Sequence, residues 1–176
     1  MEKSGLRFEV IRSAKRFSAL DTRALLSHIN SLVSEKSRIL IDRQFTLKQE
    51  KAWQAERARG LQSGEFLPII CWDKENIAGI TEARRGAFKE RHNVSIGIAL
   101  GKSYRGKGIG KKLLKLAISE AKKTMKAKNI WLEYEEGNTP AKRLYWKMGF
   151  VECARLPGFI KHYGRYCDKV FMKYSK

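Results

Sequence analysis

The stretch from Gly101 to Gly110 (GKSYRGKGIG) contains the residue types that most directly predict chemistry in this sequence. It follows the apolar run Val94–Leu100 and precedes a segment whose apolar residues have helical spacing. A turn between a strand and a helix presents backbone N–H groups and the positive end of the helix dipole. We therefore expect this glycine-rich turn to bind an anion such as phosphate.

Positive charge is concentrated around the same turn. Between Lys102 and Lys128 there are ten basic residues against one acidic residue, Glu120. Over all 176 residues, 37 Lys and Arg outnumber 18 Asp and Glu, which gives a net charge of +19. This charge favours nucleic acid, a membrane surface or a phosphate-rich cofactor as partner, although a solvated basic face would look the same.

Three phosphate-binding motifs compete for the turn. A nucleotide P-loop needs Ser or Thr directly after Lys107, where this chain has Gly108. A dinucleotide-binding fingerprint needs Gly-x-Gly-x-x-Gly, whereas Gly106, Gly108 and Gly110 are spaced Gly-x-Gly-x-Gly. The third pattern, Arg105-x-x-Gly108-x-Gly110, fits the residues as they stand.

Together with its surroundings, this third pattern resembles the GNAT superfamily of acetyl-CoA-dependent N-acetyltransferases. The resemblance also rests on the preceding strand SIGIAL, on the block from Asn138 to Phe150 with Leu144-Tyr145 inside it, and on the ending Gly164 to Lys173. It covers roughly residues 67–174. No single piece is specific, and the order of the pieces carries the match.

The resemblance implies a fold, an activity and a donor. The implied fold is α+β (mixed α/β), with a mostly antiparallel sheet, a splayed parallel central strand pair and helices on both faces. We expect a single domain over residues 1–176. The implied enzyme moves an acetyl group from acetyl-CoA to a primary amine of a small molecule or a protein, by direct attack in a ternary complex and without a metal.

The resemblance also implies a cofactor site between the splayed strands. The backbone of Ile98 and Leu100 would pair with pantetheine, and the amides from Arg105 to Lys111 would hold the pyrophosphate. Asn138 would hydrogen-bond the cofactor or the backbone beside it. The implied cofactor-binding residues are Ile98, Leu100, Arg105, Gly106, Lys107, Gly108, Ile109, Gly110, Lys111, Asn138 and Tyr145.

Four residues are candidates for the chemistry itself. The Ile98 N–H would stabilise the charge that develops on the thioester oxygen. Tyr145 matches the family tyrosine that protonates the departing thiolate, because a phenol is protonated at neutral pH. The family often has Glu early in the strand before the turn, where this chain has Asn93-Val94-Ser95. Glu82 and Glu133 remain as candidate bases, with water-relayed deprotonation or no dedicated base equally open.

The acceptor would be shaped by the N-terminal helices and the final hairpin, including Trp53, Trp72, Phe159 and Tyr163. A second function is also open: a basic nucleic-acid-binding protein on an acetyltransferase-like scaffold, because +19 exceeds what one cofactor needs. Contact with nucleic acid or a ribosome is left open by the charge, and so is a homodimer.

Cysteine usage and hydropathy indicate the compartment. Cys71, Cys153 and Cys167 are far apart, so we expect reduced, mostly buried thiols in a cytoplasmic protein. The longest uncharged stretch, His92–Gly101, is too short to cross a membrane, and the start holds no apolar run typical of a secretory signal. We therefore expect no membrane partner.

Apolar spacing predicts the elements that must position these residues. The predicted strands are Leu6–Ser13, Leu67–Trp72, Ile77–Ala83, Val94–Leu100, Ile130–Glu135, Phe150–Arg155 and Arg165–Tyr174. The predicted helices begin after Asp21, cover Leu47–Arg59, run from the glycine turn to about Ala127, and lie between the N-cap Thr139 and Gly149. Residues 60–64 are predicted to be a loop. The second and third strands should form an antiparallel hairpin, and the fourth and fifth should be parallel because a helix joins them.

Overall fold

One sheet of seven strands organises the computed structural model, which describes residues 5–176. The strands are β1 (Leu6–Val10), β2 (Phe66–Asp73), β3 (Asn76–Arg85), β4 (Asn93–Leu100), β5 (Asn129–Glu135), β6 (Phe150–His162) and β7 (Arg165–Tyr174). The helices are α1 (Ala14–Ser18), α2 (Thr22–Ser34), α3 (Leu47–Gln62), α4 (Ile109–Lys123) and α5 (Thr139–Met148). Short 3₁₀ turns occupy Phe88–Glu90 and Lys102–Tyr104.

The strand order is β1-β2-β3-β4-β5-β7-β6, and every neighbouring pair is antiparallel except β4 and β5. Helices α4 and α5 pack on one face of this sheet, and α1, α2 and α3 pack on the other. The predicted fold class is confirmed.

The parallel pair separates soon after it forms. Asn93 pairs with Asn129, Val94 with Ile130, and Ser95 with Trp131, after which β4 and β5 continue without pairing. Each strand stays paired on its outer side, β4 with β3 and β5 with β7. A gap therefore opens between the carboxyl ends of the two central strands, as the splayed pair of the prediction requires.

Helix α4 is attached to the sheet by one apolar face. Leu113, Leu114 and Ala117 are fully buried against strands β2 to β4, while Lys111 and Lys115 point to solvent. This spacing of three and four residues is what the sequence analysis used to predict the helix. The packing fixes where α4 begins, at the edge of the gap.

Several predicted boundaries are wrong. Strand β1 ends at Val10, and Ser13 caps the short helix α1 instead of ending the strand. Helix α3 continues through the predicted loop to Gln62, because Gly60 lets it approach β2: a Cβ there would lie 3.1 Å from Phe66 Cβ. Strand β6 continues to His162, well past the predicted end, because it pairs with β7 along its length.

The expectation about the cysteines is wrong for one residue, and the expectation about the domain extends beyond the described residues. Cys153 is exposed, so the prediction of mostly buried thiols is wrong for it. The predicted domain, 1–176, and the start of the chain include residues 1–4, which lie outside the described residues. In the rest of the chain no helix is long and apolar enough to cross a membrane.

Replacing Leu113 by Ala should lower the free energy of unfolding by about 2–5 kcal/mol, because it leaves a cavity under α4. Lys115→Ala, on the exposed side of the same helix, should change it by no more than about 0.5 kcal/mol. Urea unfolding of both variants measures the difference. Equal stabilities would contradict the packing of α4 described above.

Candidate active site

The start of α4 differs from the starts of the other long helices. Asp21, Thr46 and Asn138 accept hydrogen bonds from backbone N–H groups at the starts of α2, α3 and α5. Helix α4 follows Gly108, which has no side chain to do this, and its first residue is Ile109. Its first N–H groups therefore need a partner from outside the helix.

The backbone of the turn leaves space in front of these N–H groups. Gly106 and Gly108 have φ angles of +74° and +78°, and a Cβ at either would have nothing within 4 Å. Gly110 serves packing instead, because a Cβ there would lie 3.0 Å from Leu100 Cδ1 and 3.2 Å from Leu144 Cδ2. The motif thus combines an open, left-handed backbone with close contact between α4, β4 and α5.

Charged side chains of the turn divide into two groups. Lys107 and Lys111 are exposed, and neither forms an ion pair within residues 5–176. Arg105 instead pairs with Glu35 just beyond α2, and its Nε donates to the Leu100 carbonyl at 3.0 Å. The two lysines are free to meet an anion, whereas the Arg105 side chain braces the turn and occupies the Leu100 carbonyl.

Tyr145 lies on α5 beside the gap. Its ring packs 6.0 Å from that of Tyr134 and 6.2 Å from that of Phe150, and the residue is 5% exposed. Burial raises the pKa of the Tyr145 phenol, so it stays protonated. The hydroxyls of Tyr145 and Tyr134 both lack a hydrogen-bond partner in the described chain. The Tyr134 hydroxyl is fully buried, whereas the Tyr145 hydroxyl is not.

Asn138 caps α5, and the predicted cap at Thr139 is wrong. The Asn138 Oδ1 accepts from the Ala141 N–H at 3.3 Å, which makes Pro140 the second helical residue. Its Nδ2 lies 3.4 Å from the Arg38 carbonyl oxygen. Both ends of the Asn138 amide are therefore engaged within the protein, where they hold the turn between β5 and α5.

The two predicted carboxylate bases lie on either side of the gap, each with a cation. The Glu82 side chain on β3 lies against β4, because a Cβ added to Gly97 would be 3.5 Å from Glu82 Oε1. Glu82 also forms an ion pair with Arg84. Glu133 on β5 has its Oε2 2.7 Å from Lys169 Nζ. The structure brings both near the gap, but neither is a free carboxylate.

A cavity of about 310 Å³ adjoins the carboxyl end of β5 on the face that α4 and α5 leave free. The chain after α2, the end of β5 and the β6–β7 hairpin form its walls. Of the residues expected to shape the acceptor site, Phe159 and Tyr163 line this cavity, whereas Trp53 and Trp72 pack in or against the core under α1 to α3. The lining residues are Ile39, Leu40, Ile41, Asp42, Glu135, Phe159, Ile160, Lys161, His162, Tyr163 and Lys169.

Sequence reasoning missed the polar cluster in this cavity. Glu135 is 1% exposed, and its Oε1 accepts from Arg38 and, at 3.3 Å, from the Cys167 thiol. Its Oε2 lies 3.0 Å from His162 Nδ1. His162 escaped notice because β6 was predicted to end before it.

A larger cavity, about 550 Å³, lies beside α2 and residues 101–104, away from the gap. His28 in its wall is buried, and this burial lowers the pKa of its imidazole to about 4, so the ring is neutral. Glu35, which pairs with Arg105 just beyond α2, also lines this larger cavity. The smaller cavity is the one that includes the last residue of β5, Glu135.

Comparison with known proteins shows which family the chain belongs to. Residues 32–150 match the acetyltransferase (GNAT) family. The chain belongs to this family. Its membership confirms the predicted family, and the acetyltransferase activity for which this family is named agrees with the predicted class of enzyme and with acetyl-CoA as the predicted donor.

Relatives with assigned activities differ in their acceptors. An N-alpha-acetyltransferase of Sulfurisphaera tokodaii is 32% identical over 114 residues, which are 65% of this chain and 62% of that protein. The L-methionine sulfoximine/L-methionine sulfone acetyltransferase of Salmonella typhimurium is 31% identical over 158 residues, 87% of this chain and 88% of that protein. The chain spans less than two thirds of the first three curated relatives, at 62%, 36% and 54%.

Solved structures share the fold over nearly the whole chain. The ribosomal-protein-alanine N-acetyltransferase of Brucella melitensis superposes with a TM-score of 0.79 at 25% identity, covering 96% of this chain and 99% of that one. The yncA protein of Salmonella typhimurium, solved with its cofactor acetyl-CoA, superposes with a TM-score of 0.78 at 23% identity, covering 96% and 94%.

Replacing Gly108 by Glu should abolish acetyl-CoA binding and leave the protein folded, because it puts bulk and negative charge in front of the α4 N–H groups. Gly64→Glu is the matched control: Gly64 has a φ of +73° and no atom within 4 Å of its would-be Cβ, but it lies at the end of α3. Both variants carry the same backbone strain and charge. Calorimetric titration with acetyl-CoA should show binding by the control alone, and binding by both would contradict the placement of the phosphate site.

Proposed function

We propose that this protein transfers the acetyl group of acetyl-CoA to the amino group of a small, amino-acid-like acceptor by direct attack in a ternary complex. The observation that carries the proposal is the gap between β4 and β5. The uncapped start of α4 follows β4 after the glycine-rich turn, and the cavity lies at the carboxyl end of β5. Donor and acceptor could thus approach one another from opposite faces of the sheet.

The residues at the start of α4 fit the phosphates of the donor. The N–H groups of Ile109, Gly110 and Lys111 lack partners in the helix, and the dipole adds positive potential at that end. Lys107 and Lys111 add charge without competing ion pairs among the described residues. Bound there, acetyl-CoA would supply an activated thioester.

Backbone groups of β4 fit the reactive end of the donor. Beyond Ser95 the strand has no partner on its β5 side, and Ile98 lies in this unpaired stretch. A main-chain N–H is a fixed dipole that needs no ionisation, so the Ile98 N–H would stabilise negative charge on the thioester oxygen as the amine attacks.

Tyr145 would act on the leaving group. Its hydroxyl is protonated and has no other partner in the described chain, so it can donate to the sulfur as the C–S bond breaks. Burial raises the pKa of the phenol above that of a typical thiol, so complete proton transfer to the thiolate is unfavourable. Tyr145 would therefore mainly stabilise the thiolate by a hydrogen bond.

Features of the cavity favour an acceptor with a carboxylate and an apolar side chain. One side is apolar, formed by Ile39, Ile41 and Ile160 together with Phe159. Lys161 brings positive charge, as does the whole protein, whereas Lys169 is paired with Glu133. The Salmonella relative that matches over most of its length is named for acetylating two methionine derivatives, which supports this class of acceptor.

An acceptor screen that measures release of free CoA tests the proposal. It compares L-methionine sulfone, L-methionine sulfoximine, a peptide beginning with alanine, and spermidine. The amino-acid analogues should react fastest, and preferential reaction of spermidine would contradict the assignment. The relatives named above are all acetyltransferases, so the comparisons give the nucleic-acid alternative no support.

Tyr145→Phe should leave acetyl-CoA affinity nearly unchanged and lower kcat by about 10²-fold, the effect of losing one hydrogen-bond donor to a developing anion. The ring and its packing survive, and only the hydroxyl is lost. Tyr134→Phe is the control, because it removes a neighbouring buried hydroxyl that has no partner in the described chain. Steady-state rates with matched melting curves measure the effect. A Tyr145→Phe variant with the parental kcat would remove this residue from the mechanism.

A further inference from the structure

We propose that His162 is the general base of the reaction and that Glu135 is the residue that positions it. The proposal rests on the acetyl transfer proposed above. It names a group that the sequence analysis left unassigned, and it places that group in the acceptor cavity.

An attacking amine must lose a proton before or during attack, because an ammonium has no lone pair. Glu82 and Glu133 each already have one carboxylate oxygen in an ion pair, with Arg84 and Lys169 respectively. Each is therefore committed to an ion pair in the structure. A base without a competing partner must come from elsewhere in the cavity wall.

Glu135 accounts for the orientation of His162. The Arg38 guanidinium and the Cys167 thiol both donate to Oε1, and burial raises the pKa of that thiol, so it remains a donor. The second oxygen, Oε2, is buried and has no well-aligned donor, and His162 Nδ1 lies 3.0 Å from it. A buried carboxylate oxygen requires a donor, so Nδ1 is the ring nitrogen that should carry the hydrogen.

The other ring nitrogen of His162 is then a lone-pair acceptor. Its Nε2 makes no hydrogen bond with any residue in 5–176 and is not sealed from solvent, and the side chain is 21% exposed. The ring rests edge-on against Tyr163, with centroids 4.8 Å apart, and lines the cavity. A carboxylate behind one nitrogen and an open face at the other is the arrangement that makes histidine a base.

Along the strands, Glu135 lies at nearly the same height as the Ile98 N–H that is proposed to face the thioester. Continuing the register from the Ser95–Trp131 pair puts Ala99 level with Glu135, one residue beyond Ile98. Glu135 alternates with Tyr134, which faces α5, so its side chain lies on the acceptor face of β5. Glu135 and the Ile98 N–H thus lie at neighbouring levels on opposite strands of the gap.

In the proposed reaction a proton leaves the amine, a C–N bond forms and the C–S bond breaks. His162 Nε2 takes a proton from the amine nitrogen while that nitrogen forms the new C–N bond, and the carbonyl electron pair moves to the oxygen facing the Ile98 N–H. As the carbonyl reforms, the C–S bond breaks and its electron pair leaves on sulfur, which Tyr145 stabilises. The sulfur takes a proton from solvent to become a thiol, and the His162 imidazolium returns its proton to solvent, so that no net proton is gained or lost.

Other charged or titratable groups face His162 from each element around it. Among them only Glu135 is in direct contact with the ring nitrogens. These groups are Arg38 and Asp42 from the segment after α2, Glu135 from β5, Lys161 and Tyr163 on either side of His162 in the chain, and Cys167 and Lys169 from β7.

His162→Gln should lower kcat/KM by about 10²–10⁴-fold with L-methionine sulfone, or the fastest amine of the same screen, as acceptor. Its acetyl-CoA affinity by calorimetry should equal the parent's. The parent should lose activity on the acidic side of its pH profile, where the base is protonated, and this acidic limb should be absent from the variant. His92→Gln, at an exposed histidine outside the site, is the control.

Glu135→Gln should cause a loss similar to that of His162→Gln, and the double variant should be no slower than either single one, because the two residues act as a unit. Glu82→Gln and Glu133→Gln should keep the acidic limb. Loss of that limb in either of them, or parental kcat/KM in His162→Gln, would overturn the proposal. If the parent binds no acetyl-CoA, the proposed function fails, and this inference fails with it.

Nitrogen NMR of the imidazole rings supplies a readout independent of turnover, and only three histidines need assignment. At neutral pH, His162 should carry its hydrogen on Nδ1 and none on Nε2. Glu135→Gln should disturb this tautomer, and a melting curve would show whether that variant is folded. A parent ring with the hydrogen on Nε2 would overturn the proposal whatever the rates show.

Discussion

The early separation of β4 and β5 is the constraint on which the rest of the structure depends. Central strands normally satisfy each other's N–H and C=O groups along their whole length, because unpaired backbone groups inside a protein cost free energy. Here pairing stops after Ser95 and Trp131. The ladders with β3 and β7 hold each strand in place, so the gap cannot close without breaking them. Water or an extended ligand has to satisfy its edges.

The two faces of this gap are unlike each other. On the α4 and α5 face, the turn offers unpaired N–H groups and lysines, which suit phosphate. On the opposite face, the cavity offers Glu135 and His162 beside apolar walls, which suit a small amine. The proposed donor and acceptor sites thus lie on opposite faces of the sheet.

The chain after α2 ties the two sides of the gap together. Glu35 pairs with Arg105 of the glycine turn, and Arg38 pairs with Glu135 at the end of β5. Exposed ion pairs contribute little stability, but both carboxylates here are mostly or fully buried, with side-chain exposures of 17% and 1%. Removing either arginine would leave a buried carboxylate without its cation, which is costly. These pairs therefore fix the wall of the acceptor cavity relative to the turn.

The sequence by itself determined the fold and the glycine turn proposed for the donor, and the tertiary structure decided the cavity proposed for the acceptor. The glycine turn, its strand and its helix are contiguous, so their spacing predicts them directly, as it does the alternating strands and the apolar face of α4. Strand β6 is exposed along most of its length and shows no alternation, which is why its extension to His162 was missed. Helix α1 is a single short turn and has no periodicity to detect. Arg38, Glu135 and His162 come from distant parts of the chain, the first two 97 residues apart. Their meeting results from the packing of side chains across the fold, for which local backbone preferences contain no signal.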